Sequence, residues 1–315
     1  MNKKLLALAI GTAFSAAPMF ANADVTVYGH AQVEVGTVDD GATDQTVVED
    51  NARGRLGVKA SEKLGNGLTA IAKFEWKIDT TVGGADTGQR ESFVGLKGGF
   101  GTVQLGNLKS AYKYTGGVKY DPFVATILEA RGANGMTGGA FGHNSFLSNS
   151  IGYMTPKMGG FSGWATYSPD EAGDGKGADG DYSFGLKFGQ KAWEVFVAGV
   201  NDDSASYDSI KFGGMYKIAS FKIVGQYEQV DNNGTDFDVY FLGGQYKFGS
   251  NVVVAQFGNT DEDTAGQSDL NYYTIGFIHN LSKKTRLTAG FRSYESGVNG
   301  DVDNDTFAVG MRMKF

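Results

Sequence analysis

The chain contains no cysteine among its 315 residues, which excludes disulfide bonds and thiolate chemistry. It has 3 histidines, His30, His143 and His279, and no closely spaced pair that would suit zinc. No Gly-x-x-x-x-Gly-Lys-Ser/Thr phosphate loop is present. Local sequence shows no nucleophile with a base positioned beside it. We therefore expect no catalytic residues, no metal and no cofactor.

Proline and long apolar runs are also scarce. The 4 prolines suit long paired strands, which need nearly every backbone donor. Glycine accounts for 48 residues, about twice its usual share of ~7%. The mean hydropathy is −0.24, and beyond the N-terminus no stretch is apolar enough to span a bilayer as a helix. A wide membrane barrel allows this composition, because alternate residues of every strand face water.

The N-terminus carries an export pattern. Lys3 and Lys4 precede an apolar run that ends at Phe20, and a small-x-small site follows at residues 21–23. A transmembrane helix is the alternative, but the run is short and no charges follow it. We expect residues 1–23 to be a cleaved signal peptide and residues 24–315 to form one domain. Removing two lysines takes the formal charge from −7 to −9, which disfavours nucleic acid as a partner.

The end of the chain shows the pattern of a membrane strand. Every second residue from Phe307 to Phe315 is apolar, whereas Arg312 and Lys314 share the opposite face. A soluble sandwich strand also alternates but rarely turns charges inward. Apolar side chains toward lipid and polar ones toward a water-filled lumen are typical of outer-membrane barrels. The sequence predicts an all-β fold, a transmembrane antiparallel β-barrel of about 16 strands with a long third loop folded into the lumen.

The pattern repeats along the chain, with tight and long connections in alternation. The predicted strands are 24–36, 51–63, 67–79, 90–98, 101–108, 149–157, 160–168, 181–189, 191–200, 208–217, 219–229, 237–248, 251–258, 269–280, 285–296 and 304–315. Short Gly- and Asn-containing turns and long acidic loops, including one at 231–236, fit periplasmic turns and extracellular loops. The acidic loops are either simply solvated or bridged by divalent cations to lipopolysaccharide.

Side chains alternate across a strand, so residues with odd numbers lie on one face and residues with even numbers on the other. We call this the parity of a residue and use it to assign the side chains that face the lumen. Arg53, Arg55 and Lys59 face inward on the second strand. Lys73 and Glu75 do so on the third. Aromatic residues near strand ends, among which we count the three tryptophans, are expected at the membrane interfaces.

The connection between Lys109 and Ser148 does not follow this regular succession of strands, tight turns and loops. Loops beyond ~12–15 residues are usually functional or disordered, and the aromatic content of this one argues against disorder. We expect it to narrow the barrel and to place Asp121 and Glu129 opposite basic wall residues, with a transverse field between them. The alternative is a local role, in which Asp121 caps a turn and Glu129 pairs with Arg131.

Several ordered motifs resemble the Gram-negative general porin family of trimeric, sixteen-stranded diffusion channels. They include residues 25–29, 55–59 leading to Leu64-Gly65-Asn66-Gly67, 90–98, 100–106 and 149–153, and the final Phe315. The resemblance implies a channel for ions and small hydrophilic solutes in the cell outer membrane. It also implies a homotrimer in contact with lipopolysaccharide and outer-membrane lipids, with Phe315 read by the outer-membrane assembly machinery.

By motif, Arg55 and Arg90 match the family's wall arginines, and His30 sits where relatives often carry lysine. The predicted pore constriction comprises Arg53, Arg55, Lys59, Lys73, Arg90, His30, Asp121, Glu129 and Arg312. The basic wall favours anions at the constriction, whereas acidic loops would concentrate cations at the mouth. A substrate-specific channel, or an adhesin or phage receptor on the same barrel, remains the alternative function.

Overall fold

Backbone pairing closes one antiparallel sheet on itself in the computed structural model. It describes residues 23–50, 54–82, 88–131, 133–136, 146–169, 180–203, 206–262, 269–296 and 302–315. The strands are β1 (Asp24–Asp39), β2 (Asp44–Glu49), β3 (Arg55–Gly65), β4 (Leu68–Lys77), β5 (Gln89–Gly98), β6 (Gly101–Lys109), β7 (Phe146–Met154), β8 (Phe161–Ser168), β9 (Asp181–Gly189), β10 (Trp193–Asp202), β11 (Tyr207–Ile218), β12 (Phe221–Asn232), β13 (Thr235–Phe248), β14 (Asn251–Glu262), β15 (Leu270–Asn280), β16 (Thr285–Ser296) and β17 (Val302–Lys314).

Strand β1 closes the barrel. One of its edges pairs with β17, from His30 opposite Lys314 to Asp39 opposite Asp305. Its other edge pairs first with β3 and then with β2. Since β2 and β3 occupy successive parts of that edge, the strand segments form a barrel of sixteen strand positions. The predicted sixteen-stranded barrel is confirmed.

Burial alternates along the strands as the parity argument requires. On β17, Phe307 is 51% exposed on the outer face, whereas the neighbouring Ala308 is 1% exposed on the inner face. The outer apolar side chains form the surface that meets lipid, and the inner ones are mostly small or polar. The interface prediction is wrong for Trp164, which shares its parity with the buried, inward Thr166 and contacts the ring of Tyr114.

Two connections differ from the prediction. The acidic stretch after β1 contains strand β2, which pairs with β1 from Asp44 to Glu49. The predicted long loop at 231–236 is a tight hairpin, because Asn232 pairs with Thr235 around Asn233 and Gly234. Both central residues have positive φ, at 56° and 80°, as Asn-Gly hairpin turns require. The Asn233-Gly234 pair indicates a tight hairpin turn, and the prediction missed it because it relied on the acidic composition of residues 231–236.

Between β6 and β7 lie a short helix α1 (Ala111–Thr115) and a 3₁₀ turn at Gly117–Lys119. Ser110 caps α1, its hydroxyl oxygen accepting a hydrogen bond from the Lys113 N–H. Among the described ranges, no helix is both long and apolar enough to cross a membrane. Residues 1–22 of the predicted signal peptide lie outside the described residues.

Candidate functional site

A buried carboxylate gathers basic side chains from neighbouring strands. Glu75 on β4 is 2% exposed, and its Oε1 accepts a 2.8 Å hydrogen bond from Arg90 Nε of β5. Arg55 NH1 of β3 lies 3.6 Å from the same oxygen. On Oε2, Tyr28 donates a 2.8 Å hydrogen bond, and Lys73 Nζ lies at 3.4 Å. Residues from β1, β3, β4 and β5 are thereby fixed around one negative charge.

A second carboxylate extends this group along the wall. Glu91 on β5 contacts Lys73, and Lys109 Nζ at the end of β6 lies 3.2 Å from Glu91 Oε2. We call the combined set the wall cluster: Arg55, Lys73, Glu75, Arg90, Glu91 and Lys109. Its four basic side chains share two carboxylates, so positive charge predominates.

The wall cluster unites three predicted residues and adds three others. Arg55, Lys73 and Arg90 of the predicted constriction belong to it. The predicted set omitted Glu75, Glu91 and Lys109, although inward parity next to a predicted lumenal cation marks Glu75. Carboxylates in such positions hold the cations in a fixed array.

Arg312 serves a different region. Its Nε donates a 2.7 Å hydrogen bond to Gln32 Oε1, and its NH2 donates to the carbonyl oxygens of Val124 at 3.2 Å and Ala125 at 3.1 Å. The Gln32 amide nitrogen in turn donates to the carbonyl oxygens of Ala125 and Asp50. Arg312 therefore ties β17 and β1 to the connection between β6 and β7.

We call residues 110–131 and 133–136 of that connection the β6–β7 segment. Its contacts reach far around the sheet. The Ile127 N–H donates to Glu34 Oε2 of β1 at 2.8 Å, and the Tyr112 hydroxyl donates to Glu228 Oε2 of β12 at 2.7 Å. Tyr272 of β15 donates to the Leu128 carbonyl oxygen at 3.2 Å.

The two predicted acidic residues bond mainly within the β6–β7 segment. Asp121 is 3% exposed, and its oxygens accept hydrogen bonds from the N–H groups of Phe123 at 2.7 Å and Ala130 at 2.9 Å. Gln256 Nε2 of β14 donates a third bond, at 2.9 Å. Burial raises the pKa of Asp121 to about 6, although these donors favour the charged form. The Asp121 carboxylate therefore holds residues 121–130 of the segment together.

Glu129 has the same local character. Its Oε2 accepts a 2.8 Å hydrogen bond from the Ala125 N–H, and its Oε1 lies 3.1 Å from Arg131 NH2. Capping by Asp121 and pairing of Glu129 with Arg131 were the alternative that the sequence left open. The structure gives both residues those local contacts.

The other predicted residues lie around the wall cluster or outside the described chain. His30 is buried on β1, opposite Arg55 of β3 and Lys314 of β17. Lys59 Nζ lies 5.8 Å from the centroid of the Tyr28 ring. Arg53 falls outside the described residues.

Glycines on the inner face of the wall mark where the β6–β7 segment packs. A Cβ on any of them would overlap an atom of the segment. The pairs of wall glycine and segment residue are Gly36 and Ile127, Gly185 and Thr115, Gly258 and Gly135, Gly276 and Phe123, and Gly290 and Leu128. Inward parity at a glycine is a sequence signal for close packing on the inner face, but it does not identify the segment residue that packs there.

The comparisons with known proteins agree with this architecture. Residues 7–299 match the family model described as Gram-negative porin. The major outer membrane protein P.IB of Neisseria gonorrhoeae is 29% identical over 344 residues, covering 96% of this chain and 85% of that protein.

Two solved structures are similar in fold. The anion-selective porin from Comamonas acidovorans has a TM-score of 0.79 at 24% identity, covering 93% of this chain and all of that one. OmpT of Vibrio cholerae in its trimer form has a TM-score of 0.71 at 16% identity, covering 93% of this chain and 99% of that one. With the closed barrel and the family match over nearly its whole length, the chain belongs to the Gram-negative porin family, whose members are outer-membrane diffusion channels and not enzymes.

Proposed function

We propose that the β6–β7 segment narrows the water-filled lumen and that the wall cluster makes the narrow part favour anions. Ions and small hydrophilic solutes diffuse through it. The observation that carries the proposal is the excess of positive charge in the wall cluster, where four basic groups share two carboxylates. Charged groups lining a pore bias which ion enters.

The contacts of the β6–β7 segment support the narrowing. Its partners Glu34, Glu228, Gln256 and Tyr272 belong to strands spread around the barrel, and each of them is buried. Buried polar residues of a closed barrel whose outer face is apolar point inward. A segment bonded to all of them crosses the interior.

The local bonding of the acids supports the anion preference. Asp121 and Glu129 accept hydrogen bonds from backbone N–H groups, which offset part of their charge. The Comamonas acidovorans relative is named anion-selective, and it shares the fold of this chain. We retain Arg55, Lys73 and Arg90 as filter residues, add Lys109, and assign Arg312, Asp121 and Glu129 to positioning the segment.

We also propose the assembly and processing that the sequence indicated. OmpT has a trimer form, and we expect a homotrimer here. Phe315 exchanges backbone hydrogen bonds with Gly29 at 3.1 and 3.3 Å, so recognition by the assembly machinery would precede closure of the barrel. We further propose that the acidic loops contact lipopolysaccharide through divalent cations. We also propose that residues 1–23 are cleaved as a signal peptide.

The test is the reversal potential of the purified protein in a planar bilayer under a KCl gradient. Stepwise, non-saturating conductance with a potential of the sign for chloride is the expected result. A potential of the sign for potassium would refute anion preference. Small or absent steps would refute the open channel and favour a specific channel or a receptor on the same barrel.

A further inference from the structure

A cavity of about 560 Å³ lies beside the β6–β7 segment, at the end of the barrel where the short turns are. The segment covers one side of it, and strands β8 to β10 and the neighbouring turns form the other. The residues that matter for its chemistry are Tyr114, Lys119, Lys157, Trp164, Lys187 and Glu194. This volume is within the ~300–1,000 Å³ range of small-molecule sites.

Two aromatic rings line the cavity. The centroids of Tyr114 and Trp164 are 6.3 Å apart, with their planes inclined by 38°. Both side chains are partly exposed. Aromatic faces bind planar ring systems by offset or edge contacts. A partly exposed pair inside a polar channel is therefore suited to a solute that carries a ring.

The charged groups of the cavity are mainly positive. Lys187 Nζ lies 3.4 Å from Glu194 Oε2, and Glu194 also accepts a hydrogen bond from Tyr120 at 3.1 Å. Within the described ranges, no carboxylate forms a salt bridge with Lys119 or Lys157. Three lysines against one glutamate leave two positive charges beside the rings.

The charged form of Lys119 is disfavoured in this cavity. Loss of solvent around the Lys119 ammonium, and after it the charge of Lys187, lower the pKa of Lys119 to about 8. An anion between Lys119 and Lys187 would relieve the repulsion between the two ammonium groups.

We propose that this cavity is a binding site for aromatic carboxylates entering or leaving the channel. The ring contacts Tyr114 and Trp164, and the carboxylate lies between Lys119 and Lys187. An inorganic anion would use only the lysines, and a neutral ring only the aromatic faces. The inference rests on the proposed channel function for its physiological use, but binding at the cavity is measurable without ion flow.

The test is isothermal titration calorimetry of the full chain in detergent with benzoate. Cyclohexanecarboxylate has the same charge and similar size without an aromatic ring, and benzyl alcohol has the ring without the charge. We expect saturable binding of benzoate and at least threefold weaker binding of both comparison compounds. Equal binding of benzoate and cyclohexanecarboxylate, or no saturable binding of benzoate, overturns the proposal.

Variants locate the site. Lys119→Gln and Trp164→Leu should each weaken benzoate binding at least threefold, whereas Lys191→Gln, in the adjacent turn but not lining the cavity, should leave it unchanged. In a Trp76→Phe, Trp193→Phe protein, benzoate should change the fluorescence of the remaining Trp164 with the same midpoint. If Lys191→Gln weakens binding as much as Lys119→Gln, the anion binds at the turn surface and the proposal fails.

KCl conductance measured on the same preparations separates this inference from the channel proposal. Normal conductance without benzoate binding removes the site and leaves the channel intact. Benzoate binding in a protein that does not conduct removes the channel and leaves the site intact. Circular dichroism confirms that each variant retains its strands.

Discussion

At the scale of single residues, Glu75 gives the wall cluster its geometry, because four polar side chains converge on its two oxygens. Arg55 is the basic member held least tightly by this carboxylate, at 3.6 Å, and its Nε has no hydrogen-bond partner in the part of the chain that the structure describes. Its side chain is 24% exposed, more than those of Lys73 and Arg90, so among the three basic partners of Glu75 its charge is the most available to passing ions. That Arg55 lines the filter stays a prediction, which the next experiment tests.

Arg55→Glu should shift the selectivity toward cations. The substitution replaces a positive charge with a negative one beside Glu75, which reduces the local concentration of chloride and raises that of potassium. The reversal potential under a KCl gradient measures the change. Arg55→Lys keeps the charge and should leave the potential nearly unchanged. An Arg55→Glu potential equal to that of the natural protein would remove Arg55 from the filter.

Asp121 should make docking of the β6–β7 segment depend on pH. Its pKa is about 6 when buried and 3.8 at its ordinary value, so the docked segment binds more protons between these values. Docking is then strongest below about pH 4, weakens as the pH rises to about 6, and stays at the lower level above it. The difference is on the order of 3 kcal/mol at ~1.4 kcal/mol per pKa unit.

Hydrogen exchange of backbone amides in residues 121–131, corrected for intrinsic rates, measures this effect. We expect greater protection at pH 4 than at pH 7. Asp121→Asn cannot titrate at this position and should lose most of the pH difference. Peptides from β12 to β14 provide the reference. Equal pH dependence in the two proteins would show that another group is responsible.

At the scale of elements, the length and aromatic content of the β6–β7 segment predicted an ordered, functional connection. Its partners were not predictable, because Ile127 bonds to Glu34 and Tyr112 to Glu228 across 93 and 116 sequence positions. A local sequence pattern does not identify contacts between residues so far apart in the chain. The local contacts of Asp121, by contrast, lie within nine positions and were among the alternatives considered.

Gly258→Ala should displace part of the β6–β7 segment. A Cβ at Gly258 would overlap the Cα of Gly135 and approach the Asn134 carbonyl oxygen to 3.1 Å, so residues 133–135 must move from β14. Overpacking of this kind typically costs ~1–3 kcal/mol. Single-channel recording should show a changed conductance with added noise.

Gly225→Ala, on the outer parity of β12, is the control for the Gly-to-Ala change itself, because the nearest atom to a Cβ there is the Phe241 carbonyl oxygen at 3.8 Å. It should leave conductance and noise unchanged. Identical records for the Gly258→Ala and natural proteins would mean that residues 133–135 do not limit ion flow.

At the scale of the whole molecule, alternation of side chains sufficed to predict the barrel, because the inner and outer faces differ at nearly every strand. Trp164 was misplaced by a different rule, since an aromatic ring near a strand end was assumed to seek the membrane interface, whereas its parity puts it on the inner face with Thr166. Its Tyr114 partner lies in the β6–β7 segment, outside any strand pattern. Parity therefore gives the face on which a side chain lies, but it does not tell which other element packs against that face.

Charge is also divided along the barrel axis. The end with the long loops has exposed aspartates, and the end with the short turns has exposed lysines. The former include Asp40, Asp44, Asp203, Asp208, Asp231, Asp236 and Asp269, and the latter Lys63, Lys97, Lys157, Lys191, Lys217, Lys247, Lys283, Lys284 and Lys314. Cations are concentrated at one mouth and anions at the other.

This division should make the channel rectify at low salt. When the loop side is positive, cations enter from the mouth that concentrates cations and anions enter from the mouth that concentrates anions. Both then accumulate in the pore, so the current should be larger than at the opposite voltage. At 0.1 M KCl the Debye length is about 10 Å, and at 1 M it is about 3 Å, so the asymmetry should nearly vanish at 1 M.

Current–voltage curves of oriented single channels test this expectation. Because the natural chain lacks cysteine, a Ser282→Cys variant labelled from one side reports the orientation. Replacing Lys217, Lys247 and Lys314 with Gln removes three charges on the inward parity of their strands and should reduce the asymmetry. Replacing Lys283 and Lys284, which lie in the turn after β15, should reduce it less. Larger current with the loop side negative would mean that the narrow part, and not the mouths, sets the ion concentrations in the pore.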